Sequence, residues 1–216
     1  GSPLGGLDIA LGKAQAYLDE EEIYFQPAVN EELAATALWG SQHINLYDNP
    51  EIQGVFSMWY GKGPGLDRAM DALRHANQGG VAPHGGMVIA VGDDPTGKSS
   101  TLAYQSDQNF HSLGIPYFFP KNVSDIIPMG LEAFALSRYS GCCVGLKIVV
   151  DTADSNAVVD MSKLRPSLPI LKPNSLVHVT KHDPASVRES KLHDLRLPAV
   201  QTWCENSKNV AQVYLP

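Results

Sequence analysis

Cysteine is scarce: Cys142, Cys143 and Cys204 are the only three in 216 residues, and two of them are adjacent. Three such residues build no disulfide framework, and none of their spacings resembles the C-x-x-C repeats of iron–sulfur ligation. A reducing cytoplasm is the expected setting. Long apolar runs are missing too. The longest, Met87–Val91 and Val144–Val150, fall far short of the roughly 20 residues needed to cross a bilayer. No basic-then-apolar leader opens the chain, so a membrane is not an expected partner. Gly (19) and Pro (15) are dispersed without a period, which excludes collagen and coiled coil.

Positive charge is short where a nucleic-acid face would need it. Residues 1–162 carry 8 Lys/Arg against 19 Asp/Glu, while residues 163–216 carry 8 against 4, giving −7 overall. An acidic body does not neutralise phosphates, so nucleic acid is excluded as a partner. The basic stretch lacks interleaved aromatics for base stacking and is too sparse for a membrane-surface patch. It reads as a solvated face or a dock for an acidic neighbour.

What is present is an alternation of helical and strand patterns. Leu7–Leu18 has helical spacing, Ile23–Phe25 reads as a short strand, and Asn30 as the N-cap of a helix through Leu33, Ala34, Ala37 and Leu38. Val55–Tyr60 reads as a strand ending in the turn Gly61–Gly65, followed by a helix through Leu66 and Leu73. Met87–Val91, Ile115–Phe119 and Val144–Val150 read as strands, and Val123–Ser137 as a helix with Pro128 near its first turn. This order predicts a doubly wound, mostly parallel α/β sheet over residues 1–150. Residues 151–216, punctuated by Pro166, Pro169, Pro173, Pro184 and Pro198, read as an irregular linker and the start of a following segment, with one helix at Ala199–Glu205. In such sheets ligands bind beyond the C-terminal strand ends, where Gly61–Gly65 and Gly92–Ser100 fall.

Two motifs carry chemistry. Gly92-Asp93-Asp94-Pro95-Thr96-Gly97-Lys98-Ser99 matches the phosphate-loop pattern G-x-x-x-x-G-K-[ST], with Asp151 as the acid of a nucleotide hydrolase. Against that reading, Asp93 and Asp94 place carboxylates where a phosphate cradle needs positive potential, and Pro95 removes an N–H donor. The second is Asn30-Glu31-Glu32-Leu33-Ala34-Ala35. A carboxylate in a first helical turn is favourable with the helix dipole. The small residues Ala34, Ala35 and Gly40 behind it also leave room for a flat ring or another subunit, with the carboxylate aimed at a ring nitrogen.

These residues resemble a known family. Glu31 with Ala34, Ala35 and Gly40 is similar to the glutamate helix in pyrimidine-binding domains of thiamine diphosphate enzymes. Asn30-Glu31-Glu32-Leu33-Ala34 resembles the N-E-K-V-A segment of indolepyruvate ferredoxin oxidoreductases. Gly92-Asp93-Asp94-Pro95 with Ser99, Ser100 and Gln105 resembles their D-D-P-x-x-x-S-S-x-x-x-Q stretch. Gly63-Pro64-Gly65 is similar to the G-P-G loop of related 2-oxoacid:ferredoxin oxidoreductases, and Gly1-Ser2-Pro3 to their G-T-P turn. The segments follow the family's order over residues 1–150.

The resemblance implies a domain that holds the pyrimidine half of thiamine diphosphate, with Glu31 bonded to N1′ of the ring as the catalytic residue. Ser2, Pro3, Gly63, Pro64 and Gly65 are the further cofactor contacts. It implies oxidative decarboxylation of a 2-oxo acid, indolepyruvate or another arylpyruvate, with electrons passing to ferredoxin and the acyl group to coenzyme A. No G-D-G motif for the diphosphate and magnesium is present, so these and the [4Fe-4S] clusters are expected on a partner or a further domain. The chain is then a subunit or excised domain, working in a homo- or hetero-oligomer and inactive alone. Asp93 and Asp94 stand where pyruvate-specific relatives place an arginine. The expected substrate-site residues are Asp93 and Asp94 at that position, the cations Lys62 and Lys98 for the carboxylate, and His84 as a hydrogen-bond donor.

Overall fold

The computed structural model describes residues 2–208. Gly1, the first residue of the G-T-P-like turn, and residues 209–216 of the expected tail lie outside the described residues. Strands β1 (Phe56–Lys62), β2 (Gly86–Asp93), β3 (Tyr117–Phe118) and β4 (Val144–Val149) form one sheet in the order β1-β2-β4-β3, with every pair parallel. Parallel neighbours need crossover connections. These are supplied by α4 (Gly63–Gly79), α5 (Asp107–Leu113) and α6 (Val123–Ser140).

Both faces of the sheet are covered. On one, Trp59, Met87 and Ile89 pack against Leu66 and Leu73 of α4, Phe110 of α5 and Ala35 of α3 (Glu31–Ser41). On the other, Val88, Val144 and Leu146 pack against Leu136 of α6 and Trp203 of α9 (Leu197–Asn206). The chain is thus an α/β protein with a parallel sheet between helical layers, as the strand–helix alternation predicts. Every position of β2 is buried, which is why it reads as an unbroken apolar run. The path from β1 through β2 to β3 runs across the sheet with α4 and α5 on one face. It then turns back to β4 with α6 on the other, as right-handed crossovers require. The ends of β2 and β4 lie side by side, Asp93 opposite Val149, near this change of face.

Several expectations are corrected. The Leu7–Leu18 helix is broken at Ala14 into α1 (Gly5–Lys13) and α2 (Gln15–Glu20). Ile23–Phe25 is not a strand: no other strand pairs with it, and Ile23 and Tyr24 are exposed. Strand β3 is shorter than Ile115–Phe119, and Pro128 is the sixth residue of α6, beyond its first turn. The separate turn at Gly61–Gly65 is absent, because β1 runs to Lys62 and α4 begins at Gly63 with Pro64 in its first turn.

The C-terminal stretch departs most from expectation. After α7 (Val150–Ala153) and isolated 3-10 turns, α8 (Ala185–Lys191), a π-type turn (Leu192–Arg196) and α9 form one continuous helical run. Arg196 is fully buried. Its Nε donates to Val177 O (2.6 Å), Nη1 to Asn77 O and Gln78 O (3.1 and 2.8 Å), and Nη2 to Gly79 O (3.0 Å). The last three are terminal carbonyls of α4, which lack partners within the helix. Trp203 Nε1 donates to the buried Glu132 of α6 at 3.0 Å. This run is part of the same core. Among the described residues no helix is long and apolar enough to cross a membrane.

Candidate functional site

Asn30 is extended (φ −154°), and its side chain accepts a hydrogen bond from Leu33 N at 2.8 Å, which fixes the start of α3 at Glu31. The Glu31 carbonyl accepts from Trp59 Nε1 (3.1 Å), tying this turn to β1. The Glu31 side chain lies across Gly65 in the first turn of α4, where an added Cβ would stand 2.8 Å from its Cγ. Its Oε2 is 3.5 Å from Arg68 Nη1, with the two side chains 31% and 72% exposed. A pair this open contributes about 0–1 kcal/mol. Glu32 is exposed, so the two adjacent acids point apart, as a helix requires. The small residues behind them do not form one free surface. Ala35 is buried among Trp59, Leu66 and Ala69, and Ala34 packs against the same cluster. Only Gly40 opens onto empty space, with no atom within 4 Å of where a Cβ would stand.

Gly63, Pro64 and Gly65 form the first turn of α4 behind Lys62, whose side chain makes no cap. The Tyr104 ring lies directly on Gly63, so no side chain fits there. Tyr104 donates its hydroxyl hydrogen bond to Asp67 (2.9 Å), and Asn109 donates to the same oxygen at 2.6 Å. Burial, then the bond to Asp67, pushes the Tyr104 hydroxyl well above its usual titration range.

The loop after β2 reaches the N-terminus of the chain. Pro3 and Leu4 sit against Gly92, where an added Cβ would come within 2.8 and 2.9 Å of them, and Ser2 Oγ meets Ser99 Oγ. Inside the loop the Asp94 carboxylate accepts from Lys98 N (2.9 Å) and Ser99 N (2.6 Å). The backbone donors that would cradle a phosphate are therefore already occupied by a carboxylate. No helix follows Lys98, since α5 begins only at Asp107, and Lys98 Nζ is paired with Asp151 (3.7 Å) and Asp154 (3.5 Å). This corrects the phosphate-loop reading: cradle, helix and lysine all depart from what it requires. As an expected substrate cation Lys98 faces these two acids instead, through long and open pairs.

Asp93 is fully buried on the α5 side of β2. Its Oδ2 accepts from Ser106 N and Oγ (both 2.8 Å) and lies 3.6 Å from Lys147 Nζ, while its Oδ1 has no hydrogen-bond partner. Lys147 is bonded more closely to Asp107 (2.5 Å). Both acids of the expected pair thus have structural work, and neither is an open substrate contact. Their titrations shift oppositely. Burial raises Asp93 against the pull of Ser106 and Lys147, with Asp107 adding to the rise. Burial also acts upward on Asp94, but the hydrogen bonds from Ser99, Lys98 and Ser100 outweigh it and hold the group below its usual value. Ionising Asp93 therefore costs stability as pH rises through its raised value, whereas Asp94 contributes stability that is lost as pH falls through its lowered one. Between pH 2 and 8, Asp93→Asn is expected to gain stability relative to the parent as pH rises above 4, whereas Asp94→Asn is expected to lose it as pH rises toward 4 and to hold a constant deficit above that. Urea midpoints across that range check this; parallel curves for Asp93→Asn and the parent would contradict it.

His84 is misplaced by the sequence reading. It lies in the exposed turn before β2, at the N-terminal edge of the sheet, with the length of the strand between it and Asp93. The remaining residues lie near the C-terminal edge but on both faces of the sheet: Glu31 on Gly65 and Tyr104 on Gly63 beside the α4 layer, and Pro3 with Leu4 on Gly92, next to the Ser2–Ser99 contact, on the α6 side. Sequence reasoning missed Arg68, Tyr104 and Lys147. Arg68 stands three residues after Gly65, on the same helical face. Lys147 interrupts an apolar strand, and a buried charge there needs a partner.

Among the described residues no group of three or more His, Cys, Asp and Glu side chains is placed to hold a metal. Cys142 and Cys143 are buried, and burial pushes the Cys142 thiol up to about 12. Toward an aminopyrimidine ring the described residues offer the Glu31 carboxyl and the absent side chain of Gly65, a space that Glu31 itself crosses. No model of a known protein family matches the chain, and no curated protein matches it with significance.

Proposed function

We propose that this chain is the pyrimidine-binding part of a thiamine diphosphate-dependent 2-oxoacid:ferredoxin oxidoreductase acting on indolepyruvate or another arylpyruvate. The observation that carries the reading is the Glu31 side chain crossing Gly65 in the first turn of α4, directly after the C-terminal end of β1. Ser2 and Pro3 meet Ser99 and Gly92 at the C-terminal end of the neighbouring strand β2, on the other face of the sheet.

When bound, thiamine diphosphate supplies the carbon nucleophile for decarboxylation. Glu31 holds and moves the proton at the ring nitrogen. Gly65 leaves the space that the carboxyl and the ring share, and the Tyr104 ring shields the first turn of α4 from water. The diphosphate, its magnesium and the [4Fe-4S] clusters belong to a partner subunit or further domain. Ferredoxin and coenzyme A are the electron and acyl acceptors, and the assembly works in the cytoplasm. The phosphate-loop hydrolase is the weaker reading, because Asp94 fills its cradle.

Calorimetric titration of the chain with the free aminopyrimidine half of thiamine tests the proposal. Saturable binding that is lost in Gly65→Leu, where a side chain occupies the cradle, is the expected result. Micromolar or tighter ATP–magnesium binding that disappears in Lys98→Ala, with no aminopyrimidine binding, would overturn it.

A further inference from the structure

We infer that the groove along the open edge of β3 is a docking site for residues Asp19–Phe25 of a second copy of this chain. The groove is a cavity of about 1720 Å³, bordered by α5 and the end of α4 on one side and by α6 and the π-type turn on the other. Strand β3 is the last strand of the sheet and pairs with β4 alone. Gly145 N donates to Pro116 O at 2.8 Å, so the alternation of the ladder turns the main-chain N–H and C=O of Tyr117 away from β4. Pro116 and Pro120 lack an N–H, which confines the open edge to Tyr117–Phe119. Phe110, Leu113 and Leu192 give the groove an apolar wall, and an edge left open in this way accepts a strand from another chain. Charge selects the occupant. Arg74, Lys121 and Lys208 line the groove together with His111 and His193, and among the described residues none of the three makes an ion pair. Of the acids beside them, Asp107 is neutralised by Lys147 at 2.5 Å, which leaves Asp125 and Glu189. On a chain of net charge −7 this is a cationic rim, complementary to an acidic segment with apolar anchors.

The chain itself carries such a segment. Ile23 N bonds Leu18 O (2.7 Å) around Glu22, whose φ of +55° ends α2 in a left-handed cap. Asp19-Glu20-Glu21-Glu22 therefore stands directly before Ile23-Tyr24-Phe25. The four acids, Ile23 and Tyr24 are exposed, Tyr24 by 86%, and the main chain of Tyr24 and Phe25 makes no hydrogen bond to a described residue. These β-type residues match the open β3 edge in length, and Pro27 ends them as Pro120 ends that edge. Within one chain the two do not meet. The segment leads into α3, which Trp59 ties to β1, and β1 and β3 are opposite edges of the sheet. The contact is therefore head to tail between copies, an arrangement that closes into a ring or grows as an open array.

Sedimentation equilibrium, with titration of a labelled peptide of residues Tyr17–Pro27, tests this. The chain is expected to self-associate as its concentration rises, and less so as salt is added. The peptide is expected to bind the chain, and Tyr24→Ala within it to weaken binding about tenfold or more, the scale of a lost aromatic anchor. In the chain, Tyr24→Asp removes the donor, and Lys121→Glu with Lys208→Glu removes the acceptor. All three positions are exposed, so folding is spared. Each variant alone is expected to be monomeric, the first still binding the peptide and the second not, and an equal mixture of the two to form a dimer. The inference is overturned if the peptide does not bind, which leaves the groove to a different protein. It is overturned too if self-association survives Tyr24→Asp, which assigns the contact to another segment of the chain. Peptide binding unchanged by Lys121→Glu with Lys208→Glu would place the site outside the groove and overturn it equally.

Discussion

Under the proposed thiamine-dependent function, Glu31→Gln is expected to lower 2-oxoacid decarboxylation by the assembled enzyme by about 10²-fold or more, the range of a lost proton-transfer group. Glu32→Gln is expected to change it only slightly. The difference comes from the helix start. Asn30 caps Leu33 N, so Glu31 is the first helical residue, and its side chain turns inward over Gly65 while Glu32 faces solvent. Glutamine keeps the size and one acceptor but cannot exchange a proton at the ring nitrogen. A second readout separates chemistry from packing: the urea midpoint of Glu31→Gln should stay near the parent's, since the Arg68 pair it removes is exposed and weak. Near-normal activity for Glu31→Gln together with a dead Glu32→Gln would shift the assignment by one residue. If neither substitution matters, the thiamine reading falls.

Arg196→Met is expected to destabilise the chain by about 3 kcal/mol or more, a large part of the roughly 5–15 kcal/mol that holds a domain folded. Methionine replaces the aliphatic stem but stops short of the guanidinium and donates nothing. The carbonyls of Asn77, Gln78, Gly79 and Val177 would lose their buried donor together. Leaving a buried acceptor unsatisfied costs about 1–3 kcal/mol, and the recovered desolvation of the guanidinium offsets only part of the total. Arg196→Lys should fall between, because a single ammonium does not span the fork's directions. Gly80→Ala is expected to destabilise as well: φ there is +86°, and a Cβ would stand 2.5 Å from Arg196 Nη2. Equilibrium urea unfolding measures all three. A midpoint for Arg196→Met within error of the parent would show that water replaces the guanidinium without cost.

The sheet was legible from sequence because burial writes itself into composition. Strand β2 is covered on both faces and shows an uninterrupted apolar run, and α4 begins with proline and small residues. The cap at Asn30 was legible for a local reason, since its bond spans three residues. Ile23–Phe25 misled because β-type residues make a strand only where another edge accepts their hydrogen bonds, and none does. The C-terminal run was hidden by its prolines. Pro184 and Pro198 sit at the N-cap of α8 and in the first turn of α9, where a missing N–H costs nothing, yet from sequence they read as interruptions. Within the site, Glu31 and Gly65 were visible as motif residues. Arg68 and Tyr104 were not, because their importance lies in what they touch: a carboxyl 37 positions away and, for the loop residue Tyr104, the glycine that starts α4.

The Arg196 fork also sets a clock on biosynthesis. It joins the end of α4 to a residue 119 positions later, so α4 cannot receive its final hydrogen bonds until that arginine has been made. At about 5–20 residues per second, translation of the intervening stretch takes on the order of 10 s. Throughout that interval the emerging sheet carries a helix with an unfinished end and an uncovered α6 surface where Trp203 will pack. Contacts this distant in sequence slow folding in their own right, because the loop must close before the bonds reward it. The nascent chain is therefore expected to stay protease-sensitive near Asn77–Gly80 until α9 has emerged, and to become resistant in one step when it docks.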